Sequence, residues 1–315
     1  MRRRLLPFLA IALIATACSQ SRTDADPPTT STGPTSTIGA NTTPPAGRPP
    51  RCDVQWEQEP VGIVASRELD EISGAVVSRQ HPGVIWVHND SGNDAAVFAL
   101  DTTGTDRGRV DLPDLSARDW EDMALGPGPD PALDYLYLGD IGDNNERRDH
   151  VLIHRVPEPT PEPGVRTGGE TLQITYPLGP MQAETLLVDP VTGDIVIAGQ
   201  ALSGVTALYG LAGTVNWAVS QEATYLGEIM LGTFAAATGG EAGTNQIVIR
   251  TYDEVFTWQR RPGESIAEAL FTPGCRLASI EEAQGEAIAL APDELSFYTV
   301  SEGDNQPIHR YAAAS

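Results

Sequence analysis

Four glutamates begin similar short segments that recur at wide intervals along the chain. Glu71, Glu121, Glu184 and Glu286 each precede a run of mainly small or apolar residues, and three of these runs end at a proline. Carboxylate oxygens are hard ligands, and a sequence without His or Cys clusters at metal-ligand spacing favours Ca²⁺ over zinc or iron. A repeated glutamate suits a second role equally well, in which each carboxylate caps backbone N–H groups of a neighbouring element.

Residues in other acidic segments could complete a calcium site. Asp90, Asp143 and Asn144 follow apolar strands, and with two or three of the glutamates they could hold one Ca²⁺. Several carboxylates cannot lie together unless a cation, an arginine or raised pKa values balance them. Arg118 and Arg250 are therefore the candidate counter-charges and ligand contacts.

Two ring-bearing residues are candidates for contacts beyond the cation. Trp120 stands between Asp119 and Glu121, and we expect it to contact a ligand. His88 lies two residues before Asp90 and is the candidate acid–base residue, because an imidazole titrates near neutral pH. Nucleophile-elbow, haem-attachment, phosphate-loop and dinucleotide motifs are absent from the sequence.

Short strands separated by turn residues must position these side chains. Segments rich in aromatic and β-branched residues alternate with Asp, Asn, Gly and Pro, and long helical periodicity is missing. A unit of about 48 to 63 residues with about four strands is typical of β-propeller blades. We predict an all-β chain forming a single propeller of five four-stranded blades, and the long second unit leaves six open. Strands are predicted at residues 84–87, 135–138, 195–197, 246–249 and 297–300.

The first strand of each propeller blade lines the central channel, so the four glutamates are expected to converge at one mouth of it. A fifth copy at residues 232–238 keeps the strand and lacks the glutamate. The last unit contains only three strands, and its outer strand is expected from the N-terminal side, at residues 61–65. This closure of the ring would hide the sheet edges that an open repeat exposes.

Five motifs resemble those of uncharacterised secreted β-propeller lipoproteins of actinobacteria. They are His-Asn-Asp-Ser-Gly at 88–92, Asp-Trp-Glu-Asp-Met-Ala at 119–124, Gly-Asp-Ile-Gly-Asp-Asn at 139–144, Ala-Glu-Thr-Leu-Leu-Val-Asp-Pro at 183–190 and Gln-Gly-Glu-Ala-Ile-Ala at 284–289. That group is similar in turn to the six-bladed class of phytase-like and TolB-like propellers. The resemblance covers residues 68–311 and implies Ca²⁺ near the propeller axis, and it implies no particular activity.

The N-terminus has the three parts of a bacterial export signal. Three arginines follow Met1 and precede an apolar stretch of ten residues, which is too short to span a bilayer as a helix. Ala15-Thr16-Ala17-Cys18 then resembles a lipobox, with alanine where that pattern usually has Leu or Val. We expect residues 1–17 to be removed and Cys18 to carry lipid at the extracytoplasmic face of the cell membrane. An ordinary signal peptide cut just before this cysteine is the alternative.

The rest of the chain divides into a tether and a folded domain. Residues 18–50 are dominated by Ser, Thr, Pro, Gly and Ala without apolar periodicity, which predicts a disordered tether after the lipidated cysteine. Residues 51–315 form the predicted propeller domain. Cys52 and Cys275 lie one on each side of most of this domain, and we expect them to form a disulfide in an oxidising compartment. Two separate buried thiols are the alternative.

The charge of the chain narrows its possible partners. All 20 basic residues are arginine, and loss of residues 1–17, which contain three of them, changes the net charge from −23 to −26. Such an acidic surface repels phosphate backbones, which excludes nucleic acid and leaves the lipid as the only membrane contact. We expect a monomer that binds a protein, glycan or small molecule at a calcium-occupied mouth. The alternative is a metal-dependent hydrolase acting on phosphoesters, lactones or esters at the same site.

Overall fold

β-Strands account for nearly all the regular structure of this chain. The structure, a computed structural model, describes Cys52 and residues 55–314. No helix in this part of the chain is long and apolar enough to cross a membrane. The elements are, in chain order, β1 (Trp56–Ile63), β2 (Ile72–Val77), β3 (Val84–Asn89), β4 (Ala96–Asp101), β5 (Asp106–Asp111), β6 (Trp120–Pro127), β7 (Asp134–Asp140), β8 (Val151–Pro157), β9 (Val165–Arg166), β10 (Glu170–Thr175), β11 (Ala183–Val188), β12 (Ile195–Gly199), β13 (Val205–Leu211), β14 (Gln221–Glu222), β15 (Thr224–Met230), β16 (Gly239–Ala242), β17 (Gln246–Arg250), β18 (Glu254–Gln259), α1 (Ile266–Leu270), β19 (Cys275–Ser279), β20 (Gly285–Leu290), β21 (Ser296–Ser301) and β22 (Pro307–Ala313).

The strands form five sheets, and each sheet is one blade of a β-propeller. Blade 1 contains β2-β3-β4-β5, blade 2 β6-β7-β8-β10, blade 3 β11-β12-β13-β15, blade 4 β16-β17-β18-β19 and blade 5 β20-β21-β22-β1. The first strands β2, β6, β11, β16 and β20 contact one another in this order, and β20 contacts β2 to complete a ring. The predicted all-β propeller is therefore confirmed, with five blades and not six.

The second strand of every blade lies where the sequence predicts a strand. These strands are β3, β7, β12, β17 and β21, and they are almost entirely buried. A strand covered on both faces consists of a near-continuous apolar run. That run of aromatic and β-branched residues is the signal that made these five strands predictable.

The ring is closed by β1, which pairs antiparallel with β22 as the outer strand of blade 5. An N-terminal closing strand is confirmed, but it spans Trp56–Ile63 and not residues 61–65. Val64 and Ala65 have already left the sheet. The Val64 N–H donates to the carbonyl of Gln306 at 2.9 Å, and the Ala65 N–H donates to the carbonyl of Gly104 in blade 1 at 3.0 Å.

A disulfide reinforces the closure. Cys52 and Cys275 are bonded, with their Cα atoms 5.5 Å apart and 223 residues between them in sequence, which confirms the predicted pair. Cys275 begins β19, so the bond joins the segment before β1 to the outer strand of blade 4. A cross-link that closes so long a loop contributes about 5 kcal/mol by restricting the unfolded chain.

Two short strands pass from one blade to the next. β9 lies between β8 and β10 of blade 2 but pairs in parallel with β5 of blade 1. Likewise β14 lies between β13 and β15 of blade 3 and pairs in parallel with β10 of blade 2. Both cover an outer sheet edge that would otherwise be open to pairing with another chain. Strands of two residues carry no periodic signal, so the sequence did not predict them.

The first strand of blade 4 begins later than predicted. The sequence places a strand at residues 232–238, whereas β16 begins at Gly239 and residues 232–238 lead up to it. Gly232 has a φ of +141° and Phe234 a φ of +64°, and an extended strand does not adopt such angles. The small residues of this run are buried because they pack between blades 3 and 4, as Ala237 does.

Asp122 connects three blades next to the channel. Its carboxylate is fully buried and accepts hydrogen bonds from the N–H groups of Met123 (2.8 Å), Leu186 (2.8 Å) and Gly240 (3.1 Å). Leu186 lies in β11 of blade 3 and Gly240 in β16 of blade 4. One side chain of blade 2 thus holds three first strands in a common register.

Candidate metal centre at the channel mouth

The first strands of four blades share an irregularity at the same place. Pairing with the second strand skips Ser73 in β2, Glu121 in β6, Glu184 in β11 and Glu286 in β20. A β-bulge leaves the extra residue outside the ladder and redirects its side chain. In blade 4 the corresponding place, just before β16, belongs to Thr238. Five equivalent positions around the ring therefore hold three glutamates and two hydroxyl residues.

The two hydroxyl residues bond to the next blade around the ring. Ser73 Oγ donates to the carbonyl of Trp120 at 3.0 Å, and Thr238 Oγ1 donates to the carbonyl of Gly285 at 3.1 Å. Each of these carbonyls belongs to the residue directly before a bulge glutamate. The hydroxyls thus hold the backbone of two of the three glutamates in position, a role that the sequence analysis did not identify.

Glu71 lies outside this ring of glutamates. It precedes β2 and stands two residues before Ser73, so the sequence comparison aligned it two positions out of register with the other three. Its side chain is exposed, and Oε2 accepts a hydrogen bond from Asn93 Nδ2 at 3.2 Å. The structural counterparts of Glu71, each two residues before a bulge glutamate, are Asp119, Gln182 and Gln284.

Three carboxylates from two blades form a tight group, which we call the triad. Asp90 follows β3 of blade 1, whereas Asp119 and Glu121 lie at the start of β6 in blade 2. One oxygen from each carboxylate lies within 4.8 Å of the other two. The Asp90 N–H donates to the carbonyl of Glu71 at 2.8 Å, which fixes the loop that carries this aspartate. Such a spacing of oxygens suits a shared hard cation.

Glu184 extends the triad and has an unsatisfied oxygen. Gln182 Nε2 donates to Glu121 Oε1 at 3.2 Å and to Glu184 Oε1 at 3.0 Å, so the amide bridges the two glutamates. Glu184 is only 7% exposed, and its Oε2 has no hydrogen-bond partner in the described part of the chain. The buried Oδ1 of Asp90 has none there either. Buried polar atoms are nearly always paired, so these two oxygens are available to a group from outside the chain.

The carboxyl groups at the mouth raise one another's pKa values. Burial raises the pKa of Asp90 to about 7, of Glu184 to about 8 and of Glu302 to about 9, and the charge of Glu286 adds to each rise. Burial and then the charge of Glu184 raise the pKa of Glu121 well above its usual range. Acids that repel one another in a buried site either hold protons or bind a cation.

Two of the predicted ligands lie elsewhere in the loop after β7. Asp143 is buried, and its Oδ2 accepts hydrogen bonds from the N–H groups of Arg147 and Arg148, both at 2.6 Å. That carboxylate therefore caps the backbone of its own loop. The side chain of Asn144 is exposed. The structure does not bring either residue into the triad.

The two arginines predicted as counter-charges have different surroundings. Arg118 is exposed, and the charges of Arg148 and Arg118 offset part of the rise that burial causes in the pKa of Asp119. Arg250 is fully buried, with Nη2 3.0 Å from Glu282 Oε2 and Nη1 donating to the carbonyl of Ala287 at 2.9 Å. It connects blade 4 to blade 5 and is out of reach of an external ligand.

His88 and Trp120 contact each other in the core and do not line the mouth. The Trp120 ring is 1% exposed, and its centroid lies 5.3 Å from that of the His88 ring in an edge-on arrangement. His88 is fully buried, which lowers the pKa of its imidazole to about 4. A Cβ at Gly74 would lie 2.3 Å from His88 Nε2, so the ring is closely covered. The structure therefore leaves neither side chain open to a ligand from solvent.

The sequence contains a second signal, which points to the residues that support the bulge glutamates. A polar residue stands two places before each bulge glutamate, as Asp119 before Glu121, Gln182 before Glu184 and Gln284 before Glu286. Gln284 Nε2 lies 3.4 Å from Glu286 Oε1 and repeats the contact within the 182–184 pair. The Gln-x-Glu pattern was the available clue to these supporting residues.

Comparisons with known proteins add little to the site. No protein-family model matches the chain, and no curated protein matches it. Among solved structures the chain is similar to Raptor from Chaetomium thermophilum, with 12% identity and a TM-score of 0.46. The likeness covers 83% of this chain and 30% of that one, so this chain spans less than a third of the other protein. It carries no argument about function, and the propeller rests on the strand pairing described above.

Proposed function

We propose that this protein is a lipid-anchored, extracytoplasmic β-propeller that binds Ca²⁺ at its channel mouth and presents the ion to a ligand. The observation that carries this proposal is the triad of Asp90, Asp119 and Glu121, whose oxygens lie within 4.8 Å of one another. A cluster of acids can also exist without an ion. The buried Oδ1 of Asp90, which has no hydrogen-bond partner among the described residues, is the independent sign that a positive group belongs there.

The donor set favours calcium over other metals. All the candidate ligands are carboxylate oxygens, and His88, the one histidine near them in sequence, is turned into the core. Zinc and iron sites in proteins usually contain imidazole or thiolate ligands. Magnesium requires a near-ideal octahedron, whereas calcium accepts irregular sets of carboxylates.

The partial exposure of the triad supports a role in ligand binding. Ca²⁺ takes roughly six to eight oxygen ligands, and three carboxylates with one buried neighbour leave positions open. Asp90 and Asp119 are only partly buried, so these positions would face solvent. Hydroxyl or carboxylate oxygens of a ligand could occupy them.

Isothermal titration calorimetry on the chelated protein tests the calcium site. We expect a Kd of about 10⁻⁴ to 10⁻³ M, the range of extracellular calcium modules. Glu121→Gln should weaken binding at least tenfold while the far-UV circular dichroism spectrum stays unchanged. Glu59→Gln is the matched control, since Glu59 is exposed on β1. Absence of both heat and a melting shift on adding Ca²⁺ would remove the metal from this proposal.

The anchor rests on Cys18 and the segment 18–50, which lie outside the described residues. The disulfide between Cys52 and Cys275 supports an oxidising compartment, where such bonds persist. Labelled palmitate should enter the wild-type protein in cells and be absent from a Cys18→Ala variant. Absence of label from both proteins would mean that the domain is released without lipid, and equal labelling of both would mean that Cys18 is not the lipidated residue.

A further inference from the structure

A second polar site lies beside the triad, in blade 1. A pocket of about 260 Å³ is formed by the segment before β2, the loop between β3 and β4, and parts of β4 and β5. Asn89, Ala96 and Phe98 are its buried members, and Arg67 and Asp94 are among its exposed ones. Typical ligand pockets measure about 300 to 1,000 Å³, so this one suits a small molecule or one unit of a larger one.

Asn89 brings an unsatisfied acceptor to this pocket. Its Nδ2 donates to the carbonyl of Glu68 at 2.5 Å, which orients the amide. Asn89 is 6% exposed, and its Oδ1 is buried without a hydrogen-bond partner among the described residues. An unpaired buried carbonyl costs about 1–3 kcal/mol. A ligand that donates an O–H or N–H to this atom would remove the cost.

The charges around the pocket are unfavourable to an anion. Arg109 is already saturated, with its guanidinium nitrogens 2.6 Å from Glu68 Oε2, 3.2 Å from Asp94 Oδ2 and 2.8 Å from Asp111 Oδ1. Three acidic residues line the pocket against two arginines. A phosphate or carboxylate would therefore meet net negative charge, with Arg67 as the one lining arginine not already paired with acids.

The remaining groups require a ligand that both donates and accepts. Arg67 lines the pocket and has no ion pair in the described part of the chain, so its guanidinium is free to donate to an acceptor on a ligand. Asn89 Oδ1 needs a donor, and the exposed carboxylate of Asp70 can accept from one as well. An ammonium group offers donors alone, whereas a hydroxyl offers both. We propose that this pocket binds a neutral, hydroxyl-rich ligand, a single saccharide unit.

The pocket and the triad are neighbours but distinct. Asn89 lines the pocket and the next residue, Asp90, belongs to the triad. Asn93 also lines the pocket, and its Nδ2 donates to Glu71 Oε2 at 3.2 Å, close to the acidic mouth. A saccharide held here could extend toward a bound cation. Its recognition goes beyond the calcium proposal and does not rest on it, because none of the groups that need partners in the pocket is a triad carboxylate.

Calorimetry and saturation-transfer NMR on the full chain in chelator test this assignment. The probes are glucose, galactose, mannose, xylose and N-acetylglucosamine, with glucosamine and glucose 6-phosphate as charged counterparts. At least one neutral sugar should bind, and a charged derivative of the same sugar should bind at least tenfold more weakly. Retained binding of its methyl glycoside would indicate the end of a glycan, and loss of that binding would indicate a free sugar.

Two variants test whether the sugar binds in this pocket. Arg67→Ala and Asn93→Ala should each weaken binding at least fivefold, since each removes one polar partner from the pocket. Arg261→Ala and Asn145→Ala remove the same groups from exposed positions in other blades and should leave binding unchanged. The assignment is wrong if none of the five sugars binds, if glucosamine binds more tightly than glucose, or if Arg67→Ala and Asn93→Ala bind as the wild type does. Since chelator is present throughout, none of these outcomes depends on whether Ca²⁺ binds.

Discussion

Two buried glutamates in this propeller have opposite surroundings. Glu184 at the mouth and Glu282 between blades 4 and 5 both have carboxyl groups removed from solvent. Burial and nearby negative charge raise the pKa of Glu184 to about 8. Burial alone would raise the pKa of Glu282 too, but hydrogen bonds from His309 and Thr299 and the charge of Arg250 outweigh it and lower that pKa. The pKa values of these two glutamates therefore differ because of their hydrogen-bond and charge partners, and not because of their depth of burial.

Two other buried acids follow the pattern of Glu282. Arg148 Nη1 lies 2.7 Å from Asp140 Oδ1, and Arg260 forms an ion pair with Asp189, with all four side chains nearly inaccessible. At these three places an arginine neutralises a buried acid, whereas the buried Asp122 is held by backbone N–H groups alone. Among the described residues the mouth acids lack such close partners, and this difference marks them as a site for an external cation.

The largest effect on the free energy of unfolding should come from removing an arginine that pairs with a buried acid. Arg250→Met leaves Glu282 buried without its guanidinium, and we expect the free energy of unfolding to fall by about 3–5 kcal/mol. Urea denaturation measures this directly. The matched control is Arg276→Met, whose ion pair with Glu254 is largely exposed and should be worth less than about 1 kcal/mol. Equal losses in the two variants would contradict the structural role of the buried pair.

The acids at the channel mouth, which have no arginine partner, should make the free energy of unfolding depend on pH. In the folded state the pKa values of Asp90, Glu184 and Glu302 are raised to about 7, 8 and 9. Their contribution is complete below the unfolded values near 4 and is lost as the pH rises through the folded values. In chelator, we expect the free energy of unfolding to fall by about 2–4 kcal/mol between pH 5 and pH 8, allowing for partial exposure.

Calcium provides the control for this pH dependence. A bound cation replaces the protons, so saturating Ca²⁺ should remove most of the loss between pH 5 and pH 8. Glu282, with its lowered pKa, is ionised throughout that range and adds no slope there. Urea titrations at four pH values with and without Ca²⁺ make the measurement. Identical slopes in the two series would show that the mouth acids do not bind the ion.

Neutralising one mouth acid should stabilise the cation-free protein. Glu184→Gln removes a charge from the cluster, and we expect a gain of about 1–2 kcal/mol in chelator at pH 8. The same variant should lose the thermal shift that Ca²⁺ gives the wild type. Glu282→Gln is the matched variant, because Glu282 pairs with Arg250, and it should lower the free energy of unfolding at the same pH. A loss of stability in both variants would mean that Glu184 is a structural acid as well.

The smallest effect on Ca²⁺ binding should come from an exposed acid outside the ring of bulge glutamates. Glu71 is exposed and stands outside the ring of bulge glutamates, so Glu71→Gln should weaken Ca²⁺ binding only about two- to threefold. Because the effect acts through solvent, 1 M salt should abolish it. Calorimetry at low and high salt measures both. A loss of tenfold or more would place Glu71 among the ligands.

Local patterns made much of the fold and part of the site predictable. The buried second strands stand out as apolar runs, and the repeat spacing led to five blades. Glu121, Glu184 and Glu286 were recognised because a repeated structural position imposes a repeated residue type. Glu71 was aligned wrongly because a β-bulge shifts the register by amounts that a list of residues does not reveal. His88 and Trp120 were misplaced because the direction of a side chain depends on strand pairing.

The sequence by itself determined the all-β class, the propeller repeat, the closure from the N-terminal side and the acidity of the mouth, and the structure decided between five and six blades. These features follow from composition and from periodicities of a few residues to one blade. Only the tertiary structure decided which acids share a site and which have a partner. Asp90 meets Glu121 from another blade, and Gln182 bridges two glutamates 63 residues apart. Whether a buried carboxylate supports the fold or binds a cation depends on such distant neighbours, because Coulomb interactions and desolvation depend on distance in space and not in sequence.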